Sequence, residues 1–313
     1  MEEEKRRRFE PKIKKKRKFK KIILFFLAIG LAVTIFGVYQ YMAGKNMAKS
    51  GDVPKEEAFA GDELDGKTIN VLLMGVDSRE GEQSRTDTMM LVSWNTDTND
   101  VKLVSFMRDI YADIPGYKKY KLNTAYFLGG VQLTKDTITS MFDIPIHHYA
   151  VIDFKNFESL IDILAPNGVE IDVEKDMSAH IGVNLKEGVH KLNGKELLGY
   201  ARFRMDAEGD FGRVRRQQQV IDALKDELFS LSTAVNLPKF VGALNGYVAT
   251  DMKSKEQLSY VLRAAAGGGV TTTSLTIPVE GEYKFSKYPQ VGEVIELNEE
   301  ANTQILHGFL EIQ

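Results

Sequence analysis

The richest chemistry in this 313-residue chain lies between Arg202 and Gln217, Arg-Phe-Arg-Met-Asp-Ala-Glu-Gly-Asp-Phe-Gly-Arg-Val-Arg-Arg-Gln, where five residues are arginine. At about 100° per residue, Val214, Val220, Ile221, Leu224, Leu228 and Leu231 fall on one apolar stripe of a helix. Arg213 and Gln217 fall inside that stripe, while Arg215, Arg216 and Gln219 point away from it. An arginine on an inward face needs an anion or a dense hydrogen-bond shell, because an unpaired buried charge is costly. Just upstream, Arg202 and Arg204 are two residues apart; in an extended segment both face one side and Phe203 the other. Converging guanidinium groups bind phosphate oxygens bidentately, so the cluster suits a phosphate or pyrophosphate. For Arg215 and Arg216 a solvated charge run paired with Asp206, Glu208 and Asp210 is an equal alternative.

A second constellation comes from the elements that must position it. Asn70 to Met74, Thr88 to Trp94 and Val101 to Phe106 read as three strands, with Asn95 to Asp100 as turn chemistry. In a meander, the end of the first strand, the start of the second and the end of the third share one sheet edge. Asp77, Asp87 and Arg108 occupy those three places, although 31 positions separate the first from the last. Two carboxylates beside an arginine suit a divalent cation held next to a pyrophosphate, since Mg²⁺ commonly takes one or two carboxylates plus substrate phosphates. Asx-turn or capping roles, with Asp77 and Asp87 paired to Arg79 and Arg85, are the competing reading.

Further along, Leu133 to Met141 and Phe154 to Leu164 read as helices, and His148 to Asp153 and Gly168 to Val173 as strands. Asn193-Gly194 opens a helix to about Tyr200, and the Arg213 helix runs to about Ser230. Leu237 to Tyr247 and Lys255 to Ala265 also look helical, and Gly267 to Gly269 precede a β-rich stretch from Thr271 to Val279. Strands and helices intermix without a strict βαβ rhythm, which predicts one α/β domain with a central mixed sheet flanked by helices.

The N-terminus predicts where this domain lives. Residues 1–21 carry a net +8, whereas the whole chain is −3, leaving −11 for residues 22–313. The basic run abuts residues 22–42, an apolar stretch interrupted only by Gln40 near its end. About 20 such residues span a bilayer, and positive charge stays cytoplasmic. The expectation is a single-pass signal anchor in the cytoplasmic membrane, N-terminus inside, with residues 43–66 as a polar linker and residues 67–313 as an extracellular domain. A cleaved signal peptide would end at a small-residue site, of which Met42-Ala43-Gly44 is a weak example. A nucleic-acid-binding arm would not need the apolar span, so nucleic acid is not an expected partner. The flexible linker would reach on the order of 25–30 Å, keeping the domain near the outer leaflet. The chain has no cysteine, which excludes disulfides and thiolate metal sites. Its five histidines show no metal-ligand spacing.

Four ordered motifs carry a resemblance to a known family. Gly-Val-Asp77-Ser-Arg79 with Ser-Arg85-Thr-Asp87-Thr-Met-Met-Leu, then Ser105-Phe-Met-Arg108-Asp109, then Lys121-Leu-Asn123-x-Ala125-Tyr126 before Gly129-Gly130, resemble the LytR-CpsA-Psr cell-wall proteins. Tyr200-Ala-Arg202-x-Arg204 with Gly209-Asp210-Phe-Gly-Arg213 and Arg216-Gln217-Gln218 completes the set. Met107 stands where many members have proline; this alters backbone stiffness beside Arg108 but removes no charge. The resemblance, over about Lys67 to Ile312, implies a membrane-anchored, Gram-positive-like phosphotransferase. It would move a glycan phosphate, such as wall teichoic acid, from a polyprenyl-pyrophosphate carrier to peptidoglycan. It further implies that Asp77 and Asp87 hold Mg²⁺ or Mn²⁺. Arg85, Arg108, Lys121, Arg202, Arg204, Arg213 and Gln217, with Arg79 less firmly placed, would bind the pyrophosphate.

In that reading a peptidoglycan hydroxyl attacks the sugar-side phosphorus and polyprenyl phosphate leaves, accelerated mainly by positioning and charge neutralisation. Asp77 or Asp87 could take the hydroxyl proton. The lipid needs an apolar groove, for which Val241, Leu244, Leu258, Val261 and Leu262 are candidates, although such stripes are more often core. Two alternatives remain: a lipid-pyrophosphate hydrolase, and a tethered regulator that binds lipid-linked intermediates without turnover.

Overall fold

A computed structural model describes residues 13–48, 57–77, 85–228, 236–266 and 269–312; in the first helix, side chains are described only for residues 26, 27 and 29–48. In chain order the elements are α1 (Ile13–Ala48), β1 (Thr68–Val76), β2 (Thr86–Asn95), β3 (Asp100–Phe106), β4 (Tyr111–Ala112), β5 (Tyr120–Lys121), α2 (Thr124–Phe142), β6 (His148–Asp153), α3 (Phe154–Leu164) and β7 (Val169–Val173). They continue with β8 (Gly188–Leu192), α4 (Gly194–Arg202), α5 (Gly209–Leu228), α6 (Leu237–Tyr247), β9 (Val248–Thr250), α7 (Ser254–Ala266), β10 (Thr271–Ile277), β11 (Tyr283–Tyr288), β12 (Gly292–Leu297) and α8 (Glu299–Leu310).

The central six-stranded sheet has the order β10-β3-β2-β1-β6-β9. β1, β2 and β3 form the expected antiparallel meander, whereas β1–β6 and β3–β10 pair in parallel, which makes the sheet mixed. The pleat sends alternate side chains to opposite faces. On one face Leu72, Met74, Met89, Leu91, Val104, Tyr149 and Val151 join residues of α2 and α8 in the main core. On the other, Leu73, Met90, Leu103, Ala150 and Ile152 look towards α3, α4, α5 and α6 but do not pack solidly, leaving a cavity of ≈ 430 Å³. The apolar runs that read as buried strands are therefore covered on both sides, with one side only roofed.

Several boundaries differ from expectation. The segment read as a flexible linker is helical through Ala48, and Glu57 to Gly66 is built into the domain. Asp62 accepts from Lys135 Nζ and Ile146 N at 2.7 Å each, and Glu57 Oε2 accepts from Val131 N at 2.7 Å. That last bond explains why α2 starts nine residues earlier than its apolar periodicity suggests: the helix is interrupted at Gly129 and Gly130 (φ 63°), where Glu57 occupies the space a Cβ would need. The β11–β12 hairpin and α8 had no counterpart in the sequence reading. Among the described residues no helix is long and apolar enough to cross a membrane; side chains 22–25 and 28 of the expected span lie outside them.

Candidate active site

Register places the two carboxylates. Gly75 pairs with Thr88 and Val76 with Thr86, so Asp87 is the extra residue of a β-bulge opposite the end of β1. Bulges re-aim side chains, and this one sets Asp87 beside the strand end from which Asp77 projects. Both keep partial exposure, 37% for the Asp77 side chain and 31% for Asp87. Arg108, at the end of β3, donates to Asp87 Oδ1 at 2.5 Å, as the meander requires.

The arginines converge on the same edge. Arg108 lies 3.5 Å from Asp210 Oδ1, and Arg213 donates to Asp210 Oδ2 at 2.9 Å and lies 4.0 Å from Asp87. Arg202 is 3.8 Å from Asp77. Asp87, Arg108, Arg202, Arg204, Arg213 and Gln217 line one polar pocket of ≈ 110 Å³, together with Phe154, Ala179 and His180. Burial works against the Arg108 charge, but Asp210 and Asp87 outweigh it and hold its pKa above the usual arginine value. For Arg213 burial dominates; Asp210 and Asp87 compensate only in part, Arg108 and Arg204 repel, and the pKa falls below the usual value. The Nε atoms of Arg108 and Arg213 are buried without a hydrogen-bond partner. The pocket thus gathers four arginines, with the Arg213 charge under-compensated, at the start of α5, a helix terminus whose dipole also favours an anion.

This polar pocket shares Phe154, Arg202 and Gln217 with the wall of the 430 Å³ cavity, which is otherwise almost wholly apolar. Of the five groove candidates only Leu244 lines it; Val241 is buried elsewhere, and Leu258 and Leu262 are exposed on α7. The cavity instead lies over the second face of the sheet, where strand alternation left apolar side chains with no helix pressed fully against them.

Residues 34–305 match the LytR_cpsA_psr family. The chain is 45% identical over 281 residues to the regulatory protein MsrR of Staphylococcus aureus, covering 89% of this chain and 86% of that one. It is 35% identical over 221 residues, 68% of each chain, to the polyisoprenyl-teichoic acid–peptidoglycan teichoic acid transferase TagU of Oceanobacillus iheyensis. Among solved structures it resembles YwtF (TagT) of Bacillus subtilis with bound octaprenyl pyrophosphate lipid. That likeness has a TM-score of 0.60 at 25% identity and covers 83% of this chain and 98% of the other. The chain belongs to the LytR-CpsA-Psr family.

Of the positions matching the LytR-CpsA-Psr motifs, most gather at one site. Lys121 reaches it through Asp109, which accepts from Lys121 Nζ at 2.6 Å and lies 3.6 Å from Arg108 Nε. Arg85 is elsewhere: its guanidinium sits 5.7 Å over the Phe127 ring and does not line the pocket. Arg79 lies outside the described residues. Arg202 and Arg204 do face the pocket while the buried Phe203 faces away, yet Arg202 ends a helix rather than lying in a strand.

Arg216 overturns the helical-wheel reading. Periodicity puts it on an outward face, yet it is 0% exposed. It pairs with Asp206 and with Glu174 at 3.5 Å, and donates to the Phe203 carbonyl at 3.1 Å. The wheel assumed one buried stripe, but α5 is wedged between two layers: Val214 packs into the main core and Val220 into a second core built on β7, β8 and α4. Arg215, 40% exposed in its side chain, is the peripheral one and pairs with Glu174 and Glu208. Two site features had been missed. By sequence Asp210 is only a counter-charge, whereas in the structure it bridges Arg108 and Arg213; its place in the first turn of the arginine helix is the available signal. His180 had been passed over as a scattered histidine; it holds a left-handed backbone (φ 61°) at the pocket's rim, and nothing in local spacing marked it.

Proposed function

We propose that this protein is a membrane-anchored phosphotransferase that moves a glycopolymer from a polyprenyl-pyrophosphate carrier to peptidoglycan in cell-wall assembly. The observation that carries this reading is the shared wall between the arginine pocket and the apolar cavity. A pyrophosphate with a long hydrocarbon chain needs those two environments side by side. The name of the TagU relative and the octaprenyl pyrophosphate in the YwtF (TagT) structure support the same substrate class.

In this scheme Arg108, Arg202, Arg204 and Arg213 neutralise the phosphate oxygens, and Gln217 orients them at the cavity mouth. The acceptor oxygen bonds to the sugar-side phosphorus, the bridging P–O bond breaks, and polyprenyl phosphate leaves with the bond's electron pair. The hydroxyl proton passes to a carboxylate of the Asp77–Asp87 pair. Two part-exposed carboxylates on adjoining strand ends are a fitting donor set for Mg²⁺ completed by phosphate oxygens, although among the described residues no group of three or more His, Asp or Glu could hold a metal. When bound there, Mg²⁺ would lend Lewis-acid stabilisation to the charge developing on the phosphoryl oxygens.

The anchor belongs to the proposal too. Ten large apolar side chains between Phe26 and Met42 are exposed on α1, as a lipid environment would allow. The far end of α1 crosses α6 so closely that a Cβ on Gly44 would lie 1.9 Å from the Lys239 carbonyl oxygen, and one on Gly242 2.1 Å from that of Tyr41. α6 supplies Phe240 and Leu244 to the cavity wall, so carrier lipid rising beside α1 would meet the cavity directly. A reporter fused after Gln313 should then be active only outside the cytoplasm.

The deciding experiment incubates the full chain in detergent micelles with a lipid-pyrophosphate glycan, with and without peptidoglycan. Acceptor-dependent release of polyprenyl phosphate is expected. Equal release without acceptor would make the protein a hydrolase. Binding without release would make it a regulator, the role for which the MsrR relative is named.

A further inference from the structure

α5 lays out the site in order. From its C-terminal end, Leu228, Leu224, Ile221 and Val220 line the apolar cavity, Gln217 and Arg213 the polar pocket, and Asp210 and Phe211 form the first turn. At a rise of 1.5 Å per residue, Leu224 lies about 16 Å along the axis from Arg213, and Phe211 only about 3 Å beyond Arg213 on the other side. Displacement at phosphorus brings nucleophile and leaving group roughly into line. With the lipid phosphate leaving towards the cavity, an in-line acceptor approaches from the side away from it, the side on which the Phe211 end of α5 lies.

An aromatic ladder starts there. The Phe211 ring stacks on Tyr283 at 5.5 Å between centroids and 30° between planes. Tyr283 meets Phe285 edge-on at 5.5 Å. Phe285 ends the ladder 70% exposed, the most exposed large apolar side chain among the described residues. The β11–β12 hairpin carrying these rings is tied to the loops of the site. Ile295 N donates to the carbonyl of Asp109 at 2.9 Å, and Tyr120, next to Lys121, donates to the Gln290 carbonyl at 3.0 Å. The rings are thus held in register with Arg108, not on a free loop. A lone exposed phenylalanine needs no cover, but one that continues a run of rings anchored at the site and is rimmed by charged side chains forms a ligand-binding face. The rigid, flat face of a pyranose, lined by C–H groups and edged by hydroxyls, matches an aromatic ring that shares its strand face with the charged Lys287 and Glu293.

We propose that the Phe211–Tyr283–Phe285 ladder is a pyranose subsite that holds the acceptor glycan chain against the reacting phosphorus. This rests on the transfer reading above. The donor's own sugar is not the favoured occupant, because it is attached at the phosphorus itself and lies across, rather than along, the line of attack.

The test uses the full chain in detergent micelles and an N-acetylglucosamine tetrasaccharide as probe, with binding measured by calorimetry for wild type, Phe285→Ala and Phe285→Tyr. In parallel, binding of a short-chain lipid-pyrophosphate sugar analogue is measured. Phe285→Ala should weaken tetrasaccharide binding at least about fivefold, equivalent to about 1 kcal/mol. Phe285→Tyr should retain it, and the lipid analogue should bind all three proteins alike. The proposal is overturned if wild type does not bind the tetrasaccharide, if Phe285→Ala binds it as wild type does, or if the lipid analogue weakens in step, which would give the ladder to the donor sugar. A Phe285→Ala change in oligomeric state by sedimentation would also overturn it, in favour of a second copy of the chain. Phe285-dependent tetrasaccharide binding without any transfer product would uphold the glycan subsite and sink the transfer reading instead. Transfer by Phe285→Ala with an unchanged acceptor KM would do the reverse.

Discussion

Three arginines within one turn of α5 should fail in three different ways when each is cut to alanine. Arg213 is 5% exposed, and its neighbours Arg108 and Arg204 repel it, so its charge serves an incoming anion better than it serves the fold. Losing one charge-assisted phosphate contact costs about 1.5–3 kcal/mol, or about 10- to 150-fold in Kd. Asp210 keeps Arg108 at 3.5 Å, so Arg213→Ala should bind a lipid-pyrophosphate analogue poorly yet melt near wild type. Arg216 is the converse. Its removal leaves the buried carboxylate of Asp206 with the part-exposed Lys175 at 3.2 Å and the Gly209 N–H at 3.1 Å, and no guanidinium. Breaking such a pair costs about 3–5 kcal/mol, which at 2–4 °C per kcal/mol for a domain of this size lowers Tm by about 6–20 °C. Arg215, part-exposed but paired with both Glu174 and Glu208, should cost less stability than Arg216, with donor affinity within about twofold. Trp94, the only tryptophan in the chain, reports unfolding by fluorescence, and calorimetry reports binding. Should Arg216→Ala melt like wild type while losing the donor, Arg216 would belong to the site and the division of α5 into frame and site would be wrong. Equal binding losses for Arg213→Ala and Arg215→Ala would have the same force.

Asp77→Asn and Asp87→Asn should each abolish Mg²⁺-dependent turnover with Tm largely kept; full turnover in EDTA, or in either variant, would remove the metal from the scheme. Arg215 above all, against some cost of burial, with Gln219 and Arg216 adding to it, brings the Glu174 pKa down to about 2. The stability Glu174 contributes is therefore present above an unfolded pKa of about 4.3 and lost as pH falls towards about 2. Tm measured against pH should show the gap between wild type and Glu174→Gln closing across that window, and a constant gap would deny the linkage. Ala150→Phe, on the cavity floor, should displace two or three carrier methylenes at about 0.8 kcal/mol each. It should weaken long-chain donor binding more than about tenfold while sparing short-chain donors; equal losses for both would mean the tail lies elsewhere.

Much of the site was legible in the sequence because strand topology is. Once β1, β2 and β3 form a meander, Asp77, Asp87 and Arg108 must meet, and only the bulge that re-aims Asp87 had no local signature. The inward placement of Arg213 followed from helical periodicity, which holds wherever a helix meets one core. The same periodicity misplaced Arg216, because periodicity records how many faces are apolar and not how many are covered. Here the second cover is polar: Asp206, Glu174 and the Phe203 carbonyl bury a charge without any apolar mark. Long-range partners were invisible for a related reason. Glu57 splitting α2, the hairpin seated on Asp109 and His180 at the pocket rim each depend on contacts 70 or more positions apart or on a loop's backbone angle.

The resting charge balance of the pocket bears on how four arginines can converge at all. Arg108, Arg202 and Arg213 are held by carboxylates, and two of those, Asp87 and Asp210, are shared between Arg108 and Arg213. Sharing lowers the cost of burial without giving each guanidinium a carboxylate of its own. Arg216 differs in that its terminal nitrogens hold Asp206, Glu174 and the Phe203 carbonyl at once, so a phosphate would have to displace a buried carboxylate. In the pocket a phosphate instead meets guanidinium groups already gathered and a cation, Arg213, whose charge the protein alone does not satisfy. Such preorganisation does its work before the substrate arrives, so little of the binding energy goes into reorganising the site. Positive charge that the fold leaves under-compensated, next to a cavity that the fold leaves unfilled, is the combination an amphipathic pyrophosphate can satisfy in full.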